Sequence, residues 1–202
     1  MRFFKLLAIV LFATLFLGCS NDNQNDGPAP LIKPYEEGEK ITLQNIHGGI
    51  KTLVRTKDGF VVKGDEEKVL MLDIFGTFCR PCQDEAPHLT DLQLRKHDNF
   101  IILGLTHLED VSSEYVLENF AQKFGAYYFI ANQEENARIA ETITQDIGYK
   151  QALQVPFKVM LKNGNYQTVV DVWEGRSDRR YYIGKIDTAL IEKDLLRILD
   201  KK

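Results

Sequence analysis

Apolar residues along this 202-residue chain fall into short blocks whose spacing changes from block to block. Residues 69–75 (Val-Leu-Met-Leu-Asp-Ile-Phe) form a continuous apolar run interrupted by one acid, the pattern of a strand buried on both faces. Gly76, Thr77 and Phe78 then turn the chain. From Pro81 onward Ala86, Leu89, Leu92 and Leu94 recur near helical spacing as far as His97, which predicts a helix. Pro81 fits the first turn of that helix, where its missing N–H is not needed. Residues 100–106 predict a second buried strand, and 113–123 a helix with Val116, Leu117 and Phe120 on its apolar face. A third strand is expected over 127–130, then a helix over 137–147 with Ile139, Ala140 and Ile143 turned inward. Residues 157–161 and 166–173 flank the turn Lys162-Asn163-Gly164-Asn165, and Asn-Gly between two such runs predicts a hairpin. A last helix over 186–199 carries the stripe Ile186, Leu190, Ile191, Leu195 and Ile198. Upstream, 41–43, 52–54 and 59–62 read as short strands with glycine-containing turns. Strand, helix, strand, helix, then hairpin and helix describes an α/β sandwich with a mixed sheet.

The N-terminal block is of another kind. Arg2 and Lys5 precede an almost unbroken apolar run over 6–17, short of the roughly 20 residues a membrane span needs. Its length and flanks are those of a secretory leader. The run ends in Leu15-Phe16-Leu17-Gly18-Cys19-Ser20, and a small residue before a lone Cys resembles the bacterial lipobox. That resemblance implies cleavage before Cys19 and acylation of its thiol and new amino group. Phe16 departs from the Leu usual at that place; a retained short anchor with an incidental Cys is the alternative. Either reading places the rest of the chain outside the cytoplasm. Residues 20–30 hold no large apolar residue and two prolines, so they cannot offset the entropy of ordering and suit a tether. The expected organisation is a leader over 1–18, a lipid-anchored flexible linker over 19–38 and one domain over 39–202.

With 44% hydrophobic residues, a domain of that size can build an ordinary core. The net charge of −4 becomes −6 once Arg2 and Lys5 leave with the leader, which gives no support to nucleic-acid binding. Arg176, Arg179 and Arg180 read as a solvated loop, and Trp173 as a core aromatic. His47, His88, His97 and His107 form no zinc-ligand spacing with the cysteines, and no glycine-rich phosphate loop is present, so neither metal nor cofactor is expected. Lipidation of Cys19 would leave a single pair, Cys79-Arg80-Pro81-Cys82. A structural disulfide stabilises most when it closes a long loop. A pair two residues apart suits reversible chemistry better.

That pair stands where a buried strand hands over to a helix, with Cys79 at or beside the helix N-terminus. The thiolate is the nucleophile in disulfide exchange, and two features lower the pKa of Cys79: the positive end of the helix dipole and the neighbouring charge of Arg80. Cys82, one turn inside, is the resolving thiol that releases a mixed disulfide.

The segment Asp73-Ile74-Phe75-Gly76-Thr77-Phe78-Cys79-Arg80-Pro81-Cys82-Gln83-Asp84-Glu85-Ala86-Pro87 resembles the active-site segment of thioredoxin-like proteins, in particular the TlpA/DsbE-like branch of membrane-tethered oxidoreductases. The likeness runs from about residue 41 to 199. It implies a thioredoxin-like three-layer sandwich with a mixed central sheet, an N-terminal short-strand extension and a helix–strand insertion over 109–147. Phe75 and Phe78 stand where that branch often has tryptophans. The resemblance further implies a cis peptide at Val155-Pro156, in a loop that faces the disulfide and lends its backbone to an incoming chain. Phe78, Arg80, Pro81, Val155 and Pro156 would then form the substrate face. Asp73 matches a buried acid able to take the proton from Cys82, and Glu85 matches an acid that reductants of cytochrome c maturation carry near the pair; a hydrogen-bonded strand end and a solvated helix face are the plain alternatives.

The expected function is thiol:disulfide exchange with exported proteins, first as a reductant that draws electrons from a membrane redox partner and serves substrates such as apocytochrome c thiols. A thiol oxidase and a non-catalytic lipoprotein adaptor are the alternatives. The expected protein is a monomer on the periplasmic side of a Gram-negative bacterium, held by lipid to the inner or outer membrane.

Overall fold

Alternation along the central strands decides the layering. In the computed structural model, which describes residues 32–171 and 175–201, β4 (Val69–Phe75) and β5 (Phe100–Thr106) are buried at every position. Successive side chains of a strand point to opposite faces, so both faces of this sheet must be covered. Val69, Met71 and Phe75 join one core with Ala86, Leu89 and Leu92 of α1 (Arg80–Lys96) and Ile191, Leu195 and Ile198 of α4 (Thr188–Leu199). Leu70, Leu72 and Ile74 join a second core with Ile139, Ala140 and Ile143 of α3 (Glu135–Ile147). Three layers result, as expected.

The central sheet has the order β6 (Phe129–Ala131), β5, β4, β7 (Phe157–Lys162), β8 (Asn165–Tyr166), with β9 (Tyr182–Ile183) also paired to β7. Strands β4, β5 and β6 are parallel, and β7 runs antiparallel to β4, so the sheet is mixed. A separate antiparallel sheet of β1 (Lys40–Gln44), β2 (Ile50–Arg55) and β3 (Phe60–Val62) is the N-terminal extension. Its Leu43, Leu53 and Phe60 enter the second core. Arg55 locks it to α3 with two hydrogen bonds to Asp146, at 2.6 and 2.8 Å.

Four expectations need correction, and one strand was not expected. The helix over 113–123 is α-helical only across α2 (Ser113–Val116) and continues as a π-helical segment over Leu117–Gln122. Its wider turn lets the adjacent residues Phe120 and Ala121 both enter the core, and Phe120 stacks on Phe75 with centroids 4.5 Å apart. The hairpin turn is as expected, with Asn163 and Gly164 both at positive φ (51° and 75°), but its second strand β8 is only Asn165–Tyr166. The chain leaves the sheet because the buried carboxylate of Asp194 on α4 accepts the N–H of Val170 at 2.7 Å. The vacated edge of β7 is taken by β9 (Tyr182–Ile183), which no alternation announced. Leu94 is exposed, because two residues beyond buried Leu92 lie on the opposite side of a helix. Tyr35, inside the segment expected as a tether, is buried, donates its N–H to Thr142 at 3.0 Å and carries the Arg138 guanidinium 3.8 Å above its ring. The folded unit therefore begins before residue 39. Cys19, the leader and Trp173 lie outside the described residues.

Candidate active site

The turn between β4 and α1 carries the cysteine pair. Gly76 opens it, because a Cβ there would stand 2.6 Å from the Phe78 ring. Cys79 has extended backbone (φ −79°, ψ 108°) and is the N-cap of α1. Its Sγ lies 3.4 Å from the N–H of Cys82, one of the amides that a helix start leaves without an intrahelical partner. Pro81 occupies the first turn, as the sequence predicts. Cys79 and Cys82 are joined in a disulfide with their Cα atoms 5.3 Å apart.

Two other segments close on the turn. The Val155–Pro156 peptide is cis, and the Val155 carbonyl oxygen lies 3.6 Å from Cys79 Sγ. From the other side Glu109 accepts both the N–H and the hydroxyl of Thr77, at 2.6 and 2.5 Å. Gln83 Nε2 donates to the Thr77 carbonyl at 2.7 Å. No local pattern announces the Glu109 clamp, which spans 32 residues. Phe78 is 60% exposed, so its ring stands at the surface beside the pair rather than in the core. Arg80 points outward and pairs with Asp84 at 3.1 Å. Its charge is matched by Asp84 and solvated, which weakens the second of the two features expected to favour the Cys79 thiolate.

A buried charge cluster joins β4, β7 and α1. Asp73 on β4 stands directly opposite Lys158 on β7 in the sheet register. The Lys158 ammonium has no solvent exposure; it lies 3.2 Å from Asp73 Oδ1 and donates to Glu85 of α1. Asp73 Oδ1 is within ion-pair distance but out of line for a hydrogen bond. Glu85 also accepts the N–H of Ile186 at 3.4 Å. It lies three residues beyond Cys82, on the same buried helix face, not on a solvated one. Lys158 is the residue the sequence reading missed. Its signal was one cation inside an otherwise apolar strand.

One cation between two carboxylates leaves a negative charge if both are ionised, and burial penalises that. Burial raises the Asp73 carboxyl above its ordinary value against the pull of Lys158. Glu85 is pushed up to about 7, by burial first, with Asp73 adding to it and Lys158 opposing. Burial alone would lower Lys158, but its two carboxylate neighbours prevail and its pKa is raised. Tyr128, buried beside Asp73, is held well above the usual phenol range by burial and by the two acids. The cluster therefore holds a proton near neutral pH. Glu85 also lines a cleft of about 460 Å³ together with His88, Lys185 and Asp187, which connects the cluster to solvent.

No family model matches the chain. Many solved structures resemble it. A thiol:disulfide interchange protein of the thioredoxin family from Chlorobium tepidum is 15% identical, with TM-score 0.55 over 83% of this chain and 97% of its own. A secreted Mycobacterium tuberculosis disulfide oxidoreductase homologous to E. coli DsbE is 13% identical, with TM-score 0.50 over 78% and 95%. The exposed lipoprotein thioredoxin of Streptococcus pneumoniae is 11% identical, with TM-score 0.52 over 79% and 99%. Likeness at such identity speaks to architecture, and it agrees with the topology above: the chain has the thioredoxin-like α/β fold, with its cysteine pair at the first turn of α1.

Proposed function

We propose that this protein is a thiol:disulfide oxidoreductase that exchanges disulfides with exported polypeptides. The observation that carries the reading is the placement of Cys79: N-cap of α1, bonded to Cys82 and facing the Val155 carbonyl of the cis-proline loop.

In the reducing direction the Cys79 thiolate attacks one sulfur of a substrate disulfide. A Cys79–substrate bond forms and the other substrate sulfur leaves as a thiolate. Cys82 must then lose its proton to attack Cys79 Sγ, which restores the Cys79–Cys82 disulfide and releases the second substrate thiolate. Two electrons pass to the substrate and are replaced by a membrane redox partner. Asp73 and Glu85 take up the Cys82 proton in this reading, Lys158 keeps the pair of acids close to neutral, and Glu85 passes the proton to the solvent cleft. The Val155–Pro156 loop offers backbone to the incoming chain, while Phe78, Arg80 and Pro81 complete the face it meets.

Reduction is the direction the electrostatics favour. Strong oxidants of this chemistry owe their character to a stabilised reduced form. Here the Arg80 charge is matched by Asp84, and Asp73, Glu85 and Lys158 together carry no net positive charge, so neither feature favours the thiolates. Lipid attachment through Cys19, a periplasmic location and service to apocytochrome c thiols belong to the same reading. They rest on the N-terminal sequence and on the resemblance of the active-site segment. Among the described residues no helix is long and apolar enough to cross a membrane.

Insulin reduction by dithiothreitol tests the proposal. Wild-type protein accelerates the turbidity of the freed chains, and Cys79→Ser does not. Equal rates for the two proteins would refute it.

A further inference from the structure

Strands β4 and β5 are parallel and end together, with Phe75 opposite Thr106 in the register. The segments that follow them therefore leave the sheet side by side. The N–H of His107 carries the ladder one residue further, to the Phe75 carbonyl at 2.8 Å. Two residues beyond that pair, Glu109 meets Thr77. One carboxylate takes both donors of Thr77, the N–H at 2.6 Å through one oxygen and the hydroxyl at 2.5 Å through the other. The Thr77 carbonyl accepts Gln83 Nε2 of α1 at 2.7 Å. Thr77 is thus bonded at every polar atom and lies buried.

The loop that carries Glu109 is itself tied down. Asn132, just past β6, accepts the Thr106 hydroxyl and donates to the Val111 carbonyl at 2.7 Å, so one side chain holds both ends of the loop. On the other side, Thr77 belongs to the turn that ends at the nucleophile. The Cys79 N–H closes that turn on the Gly76 carbonyl at 3.1 Å, and the Cys79 carbonyl accepts the Gln83 N–H at 3.0 Å as α1 begins. Joining Cys79 to Cys82 requires this turn in one conformation. In the dithiol form the covalent bond no longer supplies that order, and ordering a free backbone costs conformational entropy. A clamp that persists in the dithiol removes that cost from ring closure, because groups already held in place react as if at higher concentration.

We propose that Glu109 is a positioning residue for the exchange reaction: by holding Thr77 it keeps the cysteine turn in its ring-closed conformation while the sulfurs are apart. The clamp thereby favours the Cys79–Cys82 disulfide and speeds the attack of Cys82 on a mixed disulfide at Cys79. In that attack the Cys82–Cys79 bond forms, the Cys79–substrate bond breaks and the substrate sulfur leaves as a thiolate, with the Cys82 proton passed to the buried acids. The inference rests on the exchange reading above and deepens it by naming what sets the equilibrium of the pair.

Equilibration with glutathione, read by alkylation of the free thiols, tests it. Glu109→Ala lowers the equilibrium constant for closing the disulfide about tenfold, a rise of about 30 mV in potential. Glu109→Gln restores most of the loss, because its amide oxygen accepts the Thr77 N–H and its amino group donates to the Thr77 hydroxyl oxygen. Thr77→Val removes the hydroxyl alone and lowers the constant about threefold, with little added effect on top of Glu109→Ala. In quenched reactions with a disulfide-linked peptide, the Cys79 mixed disulfide persists about tenfold longer in Glu109→Ala. Urea midpoints in both redox states separate positioning from plain stabilisation. A contact that only stabilises the fold lowers both midpoints alike and leaves the constant at its wild-type value, and that result overturns the inference. A glutamine variant shifted as far as the alanine variant overturns it as well. Should Glu109→Ala fail to fold, Thr77→Val carries the comparison, and an unchanged constant there overturns the inference. Failure of the wild type to reduce insulin, with the glutathione constant still shifted in Glu109→Ala, overturns the exchange reading alone.

Discussion

Substituting Glu85 by glutamine isolates the charge that the fold holds most reluctantly. Glu85 is 2% exposed and its carboxyl sits at about 7, against an ordinary value of 4.5. The folded state therefore binds this proton more tightly than the unfolded chain does. Between about pH 4.5 and 7 the native protein carries the extra proton, so stability falls as pH rises through that window and levels off above it. The interval corresponds to about 3 kcal/mol, an upper figure for a group coupled to two others. Glutamine cannot ionise, retains an oxygen for the Ile186 N–H, and leaves Lys158 with Asp73 as its one anionic partner. Urea unfolding of the oxidised proteins at pH 5, 6, 7 and 8 reads the effect. Wild type loses stability across the series, and Glu85→Gln loses up to about 2 kcal/mol less, so the difference between them shifts towards the variant as pH rises. Parallel pH profiles would show that Glu85 ionises in the fold as it does in water, and the proton-holding cluster would be refuted.

Two further outcomes follow from the same geometry. A Cβ at Gly104 would stand 2.9 Å from Cε2 of Tyr128 and 3.1 Å from Cε1 of Phe75, both buried rings, so Gly104→Ala destabilises the protein by about 1–3 kcal/mol, measured as a lower urea midpoint at unchanged slope. Equilibration with glutathione places the Cys79–Cys82 couple nearer the roughly −270 mV of thioredoxin than the roughly −120 mV of a strong oxidant, and a value at the oxidising end would reverse the proposed direction of electron flow.

What was legible in the sequence is what depends on local order. Strands β4 and β5 and helices α1, α3 and α4 are announced by uninterrupted or helically spaced apolar residues, and the Asn163-Gly164 turn by its left-handed backbone. The handover from a continuous apolar run to helically spaced residues, with Pro81 in the first turn, placed the pair at a helix start without any tertiary information. The clamp of Glu109 on Thr77 and the pairing of β9 with β7 depend on which distant segments meet, and nothing in their own composition declares it. The π-helical winding after Val116 is set by how Phe120 fits against Phe75, a packing outcome invisible to periodicity. Asp73 and Glu85 were each recognisable as unusual acids, but their joint meaning needed Lys158.

Lys158 links the sheet to the chemistry. In the observed register Asp73 faces Lys158, and both side chains lie on the α1 face of the sheet, where Glu85 meets them. The other face at this point is Leu70, Leu72 and Ile74 against Phe157, Val159 and Leu161. A slip of β7 by one residue along β4 would carry its whole apolar set to the opposite side and turn Lys158 into that apolar layer. The ammonium would then be desolvated among Leu70, Leu72, Ile74 and the aliphatic and aromatic side chains packed on them, away from Asp73 and Glu85, a penalty of several kcal/mol. The alternative register is excluded by the charge more strongly than by the shape of the aliphatic side chains, which interchange at modest cost. Because β7 is entered through Val155 and Pro156, the same constraint sets how far that loop reaches towards Cys79. The buried cluster thus fixes the distance between the cis-proline loop and the sulfur, independently of any proton it carries.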